Sequence, residues 1–295
     1  MSKIIKKISC IDIGSNAIKY RQYRLTKNDS IELDTFKRIP LRLGADAFSM
    51  GKMSDKTYED FKLTLKKLKK HAKKKNSELL GIFATSAMRT FSNQSQILKK
   101  IKNDLNLKID ILSGREEASL LRYFEYKEFK KTQTLLVDVG GGSTEIYRIS
   151  ENEETIDSFQ LGGVRILNKL DKEKNWNELG SFLKQIDTEE IRNIIGVGGN
   201  AKLIIQAANS VNDYLTFEEL KETKITLENK STKEMVTEMN FPEDRADIIE
   251  HAAAIFEFIQ RRFVKANFYA SNWSISDGFM LMKKNLHQAT SLEAS

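Results

Sequence analysis

The chain has 295 residues, 40% of them hydrophobic, enough for two domains with cores of their own. Charged residues make up 30%, but aliphatic and aromatic side chains are spread throughout, which excludes global disorder, and no apolar run is long enough to span a membrane. Cys10 is the only cysteine and there are three histidines, so an internal disulfide is excluded and a Cys/His zinc cluster is hard to assemble.

The opening stretch Met1-Ser2-Lys3-Ile4-Ile5-Lys6-Lys7 lacks the long apolar region of a signal peptide, so the expected location is the cytoplasm. Residues 8–25 read as a strand, a tight turn and a second strand, with another strand over 31–39. Phe61, Leu65, Leu68 and Ala72 recur at helical spacing within an amphipathic helix over about 55–75. The lysines between them give the densest basic stretch of a chain with net charge +7. They read as the solvated face of that helix rather than a specific nucleic-acid site, because no aromatic-interleaved motif accompanies them. A buried strand over 79–84 leads into a helical segment at Thr85-Ser86. Asn93 is placed to cap a helix running to Leu105, and 108–112 is a strand. Ser113-Gly114-Arg115-Glu116 has the capping-box pattern and is expected to open a helix through about Phe129.

After a polar join at Thr132-Gln133 the strand–turn–strand pattern repeats over 134–149, followed by a strand near 155–160. Leu161-Gly162-Gly163-Val164-Arg165 turns the chain, and helical periodicity returns over 176–186. A strand over 191–197 leads through Gly198-Gly199-Asn200 into a helix over 201–208. Thr216 and Glu219 form another capping-box pattern, Phe241-Pro242 precedes a long helix through about Phe263, and Trp273-Ser274-Ile275-Ser276 reads as a strand turning at Asp277-Gly278 before a helical tail. Strands alternating with helices, mixed with antiparallel hairpins, imply α/β layers. The expected domains are 1–129 and 130–295.

The two strand–turn–strand units carry the chemistry. Ile11-Asp12-Ile13-Gly14-Ser15-Asn16 and Val137-Asp138-Val139-Gly140-Gly141-Gly142-Ser143 each end a strand in an aspartate and a glycine turn. Such turns let a phosphate approach backbone N–H groups, and the aspartate can hold a divalent cation beside it. A dinucleotide fingerprint needs a helix directly after its glycines, whereas Thr144, Ile146 and Ile149 continue as strand. Gly198 and Gly199 do lead into a helix, whose N-terminus favours an anion. Glu116 has a ready role in the capping box. Glu117 points about 100° away around the helix, and is either a residue that positions or deprotonates a water or an acid favoured by the helix dipole. Arg89 is a candidate phosphate clamp, and Arg165 is a second.

Taken together these segments resemble the exopolyphosphatase / guanosine pentaphosphatase (Ppx/GppA) family. The matching stretches run in family order through Asp12-Ile13-Gly14-Ser15-Asn16, Ala84-Thr85-Ser86-Ala87-Met88-Arg89, Ser113-Gly114-Arg115-Glu116-Glu117-Ala118, Val137-Asp138-Val139-Gly140-Gly141-Gly142-Ser143-Thr144-Glu145, Leu161-Gly162-Gly163-Val164-Arg165, Gly196-Val197-Gly198-Gly199 and Ser276-Asp277-Gly278. The resemblance implies an actin-like (ASKHA, ribonuclease H-like) fold of duplicated α/β domains with mixed sheets and an interdomain cleft. It implies hydrolysis of terminal phosphate from inorganic polyphosphate, with Mg²⁺ (alternatively Mn²⁺) as cofactor. By position Glu117 would activate water, Asp138 and Glu145 would hold the metal, and Asp12 would assist. Gly14, Ser15, Asn16, Gly141, Gly142 and Ser143, with Arg89, would grip the phosphate chain. The alternatives are removal of the 5′ phosphate of pppGpp, a catalytically weak regulator that binds (p)ppGpp or polyphosphate, and a sugar or acetate kinase of the same fold. A homodimer is expected from the family alone. Ala17 and Asn200 depart from the family's usual Ser and Thr, Glu250-His251 from a proline-containing helix start, and the tail after Asp277-Gly278 from Arg-Glu-Gly. Longer family members continue into a helical C-terminal domain.

Overall fold

Two hairpins organise the molecule, a computed structural model that describes residues 4–27, 30–151 and 153–293. Strands β1 (Ile4–Ile13) and β2 (Ala17–Thr26) pair antiparallel, and β3 (Ile31–Pro40) extends the meander. From Ile8 to Ile13 β1 is buried without alternation, the pattern of a central strand covered on both faces. Helix α1 (Leu43–Met50) precedes α2 (Asp55–Lys74), which Ser54 caps by accepting a hydrogen bond from the Thr57 N–H. The Phe61, Leu65, Leu68 and Ala72 stripe of α2 is buried as its spacing requires. Strand β4 (Ser77–Ala84) then runs parallel to β1. Helices α3 (Ser86–Thr90) and α4 (Gln94–Leu105) lead to a two-residue β5 (Asp110–Ile111), giving the sheet order β3-β2-β1-β4-β5.

The second unit, Gly114–Ile275, begins with α5 (Gly114–Ser119) and repeats the hairpin with β6 (Thr134–Val139) and β7 (Thr144–Ile149), to which β8 (Glu154–Phe159) adds an antiparallel edge. Then come α6 (Gly163–Leu167), α7 (Glu173–Lys184), β9 (Asn193–Val197), α8 (Gly199–Ala208), β10 (Tyr214–Leu215) and α9 (Phe217–Glu228). The unit closes with α10 (Thr232–Thr237), α11 (Glu243–Ala246), α12 (Ile249–Gln260) and β11 (Asn267–Ala270). The sheet order is β10-β11-β9-β6-β7-β8, with β9 parallel to both β6 and β11. Both sheets thus combine an antiparallel three-strand meander with parallel strands on its far side, the duplicated mixed-sheet arrangement of an actin-like fold. Ile146, Ile194, Phe256 and Phe268 are fully buried in the second core, each worth about 1.5–3 kcal/mol of apolar burial.

Helix α13 (Ile275–Glu293) returns the chain to the first unit, which comprises the residues to Ser113 together with those from Ser276. There the ring of Phe279 packs 4.4 Å from that of Phe83 on β4. Arg21 donates to both carboxylate oxygens of Asp277 at 2.8 Å, and the Tyr23 hydroxyl donates to Oδ1 at 2.7 Å. The division therefore differs from a single boundary at 129/130. Residues 114–129 pack with the second unit, and the tail rejoins the first.

Other expectations change in instructive ways. The helix expected to run to Phe129 ends at Ser119, passes through a 3₁₀ turn over Leu120–Tyr123, and gives way to extended backbone at Phe124. Phe124 stacks edge-on to Trp273 and Phe129 to Tyr269, so burying aromatic rings overrides helical continuation. Ser276, Asp277 and Gly278 lie in the first turn of α13 rather than at a strand end, because the Asp277 carboxylate is anchored to β2. Asn93 stands at the N-cap of α4, but its side chain is used elsewhere, exchanging hydrogen bonds with the backbone of Met53. The helix expected over 243–263 is interrupted between Ala246 and Ile249. Among the described residues no helix is long and apolar enough to cross a membrane.

Candidate active site

The expected site residues fall into two groups, one in each unit. In the second unit the turn over 140–143 joins β6 to β7 with Val139 opposite Thr144, so the hairpin register sets Asp138 directly opposite Glu145. The loop is closed by the Gly140 N–H donating to the Ser143 carbonyl at 2.9 Å. Its carbonyls are occupied from outside: Val164 and Arg165 donate backbone N–H groups to the Gly141 carbonyl, and Arg165 Nε donates to the Gly142 carbonyl at 2.9 Å. Arg165 therefore braces the Gly141-Gly142 turn.

Glu117 is brought to the same hairpin by α5, which packs on β7 and β8. Its neighbour Glu116 is exposed, whereas Glu117 is only 4% exposed. This separation follows from their 100° offset around the helix. Glu145 is buried and accepts a 2.8 Å hydrogen bond from Ser158 Oγ on β8. Burial first, then the charges of Glu117 and Asp138, push the Glu145 carboxyl well above the usual carboxylate range, while hydrogen bonds from Ser143 and Ser158 pull the other way. Three carboxylates that share a buried neighbourhood favour proton uptake or a cation.

Gly198 closes this group. Its φ of +84° is in the region where glycine is needed, and a Cβ there would stand 3.3 Å from Asp138 Oδ1. The guanidinium of Arg245 lies over Gly199, in space that a Cβ would fill. Asn200, in the first turn of α8, is buried and donates from Nδ2 to the Val139 carbonyl at 2.9 Å, tying that helix to the end of β6.

In the first unit the turn over 14–16 is built alike. The Gly14 N–H donates to the Ala17 carbonyl, the Ser15 carbonyl accepts from the Gly44 N–H at 2.7 Å, and Asn16 Oδ1 accepts from Arg42 Nε at 2.8 Å. Here the hairpin sets Lys19, not an acid, opposite Asp12. Lys19 Nζ and Ser276 Oγ each donate to Asp12 Oδ2 at 3.0 Å, and Asp12 Oδ1 is buried without a hydrogen-bond partner. Arg89 on α3 is half-buried, with Nη1 donating to the Leu112 carbonyl at 2.6 Å.

Among the described residues, no three His, Cys, Asp or Glu side chains form a group ready to hold a metal ion, so Asp138, Glu145 and Asp12 are not a ready-made cage. The second-unit acids nonetheless suit a hard divalent cation. They are oxygen donors with excess negative charge, and Mg²⁺ is commonly held by one or two carboxylates, its remaining positions filled by water and substrate phosphate. Sequence reasoning missed Lys19, Arg42, Ser158 and Arg245. Lys19 was readable from the hairpin register, and Arg42 from the Arg-Leu-Gly that follows β3. Ser158 and Arg245 carry no local signal.

Paired glycine hairpins on duplicated mixed sheets, with buried carboxylates beside one of them, define an actin-like protein equipped to handle phosphate. The chain belongs to the Ppx/GppA phosphatase family, whose profile its residues 34–287 match. It is 28% identical over 252 residues to a bifunctional 3-dehydroquinate synthase/phosphatase of Fusobacterium nucleatum, covering 76% of this chain and 37% of that protein. It is 24% identical over 163 residues to exopolyphosphatase 1 of Mycobacterium tuberculosis, covering 54% of this chain and 47% of the relative. With the guanosine-5′-triphosphate,3′-diphosphate pyrophosphatase of Photobacterium profundum it shares 28% identity over 169 residues, 56% of this chain and 34% of the other. The chain thus spans less than half the length of these curated relatives. An exopolyphosphatase structure from Cytophaga hutchinsonii superposes with a TM-score of 0.81 at 19% identity, covering 95% of this chain and 98% of the other. The Aquifex aeolicus family member gives 0.72 at 20% identity, covering 96% and 98%. These structures share its fold.

Proposed function

We propose that this protein is a cytoplasmic phosphoric anhydride hydrolase that releases terminal phosphate from inorganic polyphosphate. The observation that carries the reading is the burial of Glu117 close enough to Glu145 for its charge to act there, while adjacent Glu116 is exposed. A buried carboxylate beside a hairpin that ends in a glycine turn has the chemistry of a general base. Family names add support, since relatives are called exopolyphosphatase 1 and guanosine-5′-triphosphate,3′-diphosphate pyrophosphatase.

In the proposed reaction Glu117 takes a proton from water as its oxygen attacks the terminal phosphorus, and the bridging P–O bond breaks to leave the chain one unit shorter. Backbone N–H groups of Ser15 and Asn16, in the turn that Gly14 opens, and of Gly141, Gly142 and Ser143 bind phosphate oxygens, with Arg89 adding a charge-assisted contact. Gly199, at the start of α8, offers a third backbone approach, next to Gly198, whose N–H is taken by the Trp273 carbonyl, and Arg165 holds the second turn in shape. Asp138 and Glu145 would hold Mg²⁺ or Mn²⁺, which when bound would neutralise developing phosphate charge, whereas Asp12 is already paired with Lys19. Most of the acceleration comes from positioning and electrostatics.

A second reading, removal of the 5′ phosphate of pppGpp, uses the same residues and is favoured by the likeness to the Photobacterium relative. Timed phosphate release from long polyphosphate, short polyphosphate and pppGpp, with and without Mg²⁺, distinguishes them. Faster release from polyphosphate supports the first reading and faster release from pppGpp the second. Tight binding of either with no release would leave a regulator.

A further inference from the structure

The protein's excess positive charge is concentrated on one helix. Eight lysines and no acids lie within residues 62–75, while the whole chain carries a net charge of only +7, so the rest is close to neutral. Lys66, Lys67, Lys69, Lys70, Lys73 and Lys74 are all exposed on α2. Lys62 is paired with Asp104 on α4, and Lys69 donates to the Leu105 carbonyl. Lys66, Lys70 and Lys73 have no ion-pair partner among the described residues.

This arrangement exceeds what solvation of a helix face requires. Lys66, Lys69, Lys70 and Lys73 fall within an arc of about 100° and within about 10 Å along the axis. Lys66 and Lys70, and Lys69 and Lys73, are like-charge pairs at i,i+4, a spacing that destabilises a helix. The dipole explains cations in the last turn of α2, but not Lys66, Lys69 and Lys70 upstream of it.

We propose that the outer face of α2 is a docking surface for a linear inorganic polyphosphate chain, held by Lys66, Lys69, Lys70 and Lys73. The surface lies outside the candidate catalytic residues, and the choice of polymer rests on the proposed polyphosphate reading. The apolar stripe of α2 faces the core, so no apolar face remains to enter a bilayer. Tyr58, the aromatic near the stripe's N-terminal side, is buried beneath Lys62 and Lys100, so it is no platform for stacking bases. Repeating phosphate charge is what this face can recognise, and a bare phosphate polymer presents nothing else. Binding would also relieve the lysine–lysine repulsion.

The test uses the full chain, without divalent cation so that the polymer survives. Affinity for long-chain polyphosphate is measured across a salt series. A quadruple variant combining Lys66→Gln, Lys69→Gln, Lys70→Gln and Lys73→Gln is expected to bind at least tenfold more weakly. Its log–log salt slope should be shallower by about 3, since each lost phosphate contact removes about 0.7. The corresponding quadruple Lys→Arg variant should retain binding, and circular dichroism should show both variants folded. Unchanged affinity and slope in the Gln variant would overturn the proposal. So would tighter binding of single-stranded RNA or phosphatidylserine vesicles than of polyphosphate at matched salt. Phosphate release from tripolyphosphate tests the hydrolase reading separately. Its absence in the wild-type chain would count against that reading while the binding result stood.

Discussion

Lys19 holds Asp12 at 3.0 Å, at the position of the first hairpin where the second hairpin sets Glu145 opposite Asp138. Two equivalent turns thus have opposite electrostatics. The first aspartate has a cation built in. The second faces one carboxylate across the hairpin and has another, Glu117, nearby, and it is this group that would take up an external cation. The asymmetry argues for distinct roles, one turn mainly gripping phosphate and the other also supporting chemistry.

Glu117→Gln is expected to keep the fold and nearly abolish turnover, because it preserves shape and removes the carboxylate proposed as the base. Phosphate release measured alongside circular dichroism checks this. A folded variant with undiminished release would sink the assignment of the base.

Glu145→Gln is expected to stabilise the protein at neutral pH when no divalent cation is present. The folded-state carboxyl is raised above the ordinary 4.5, so the folded state keeps a proton that the unfolded state releases. Its favourable contribution is complete below pH 4.5 and is lost as pH rises through the folded value. The melting advantage of the Gln variant should therefore be large at pH 7 and vanish below pH 4.5, each kcal/mol being worth about 2–4 °C in a unit of this size. Added Mg²⁺ should raise the wild-type melting temperature more than that of the variant.

Ser158→Ala removes one of the two hydrogen bonds that favour the charged form of Glu145 against burial and its acidic neighbours. Groups that orient a metal-binding carboxylate commonly change affinity by about 10–100-fold, so the variant should need at least about tenfold more Mg²⁺ for half-maximal phosphate release. An unchanged Mg²⁺ requirement would reduce Ser158 to ordinary packing.

Asp277→Ala leaves Arg21 buried without the carboxylate that accepts both of its hydrogen bonds. Breaking such a pair typically costs about 3–5 kcal/mol. Chemical denaturation should show that loss, and the double variant Arg21→Met with Asp277→Ala should recover part of it.

The duplicated fold was legible because its cause is local. Alternation, glycine turns and the Asp-Val-Gly-Gly-Gly-Ser run specify the hairpins, and the burial contrast between Glu116 and Glu117 follows from helix geometry. The structure departed from expectation where distant residues decide. Phe124 leaves the helix for Trp273, Asp277 turns inward to Arg21, and Asn93 reaches Met53 instead of capping α4. No local pattern announces Ser158, whose importance depends on which side of β8 meets β7.

The return of α13 to the first sheet has a consequence for synthesis on the ribosome. The second unit is one continuous stretch, Gly114–Ile275, and has all its strands as soon as that stretch has emerged. The first unit, although translated first, lacks Phe279, Asp277 and Ser276 until more than 160 further residues have been made, so Arg21 and Asp12 wait without their buried partners. The half translated second is therefore expected to mature first.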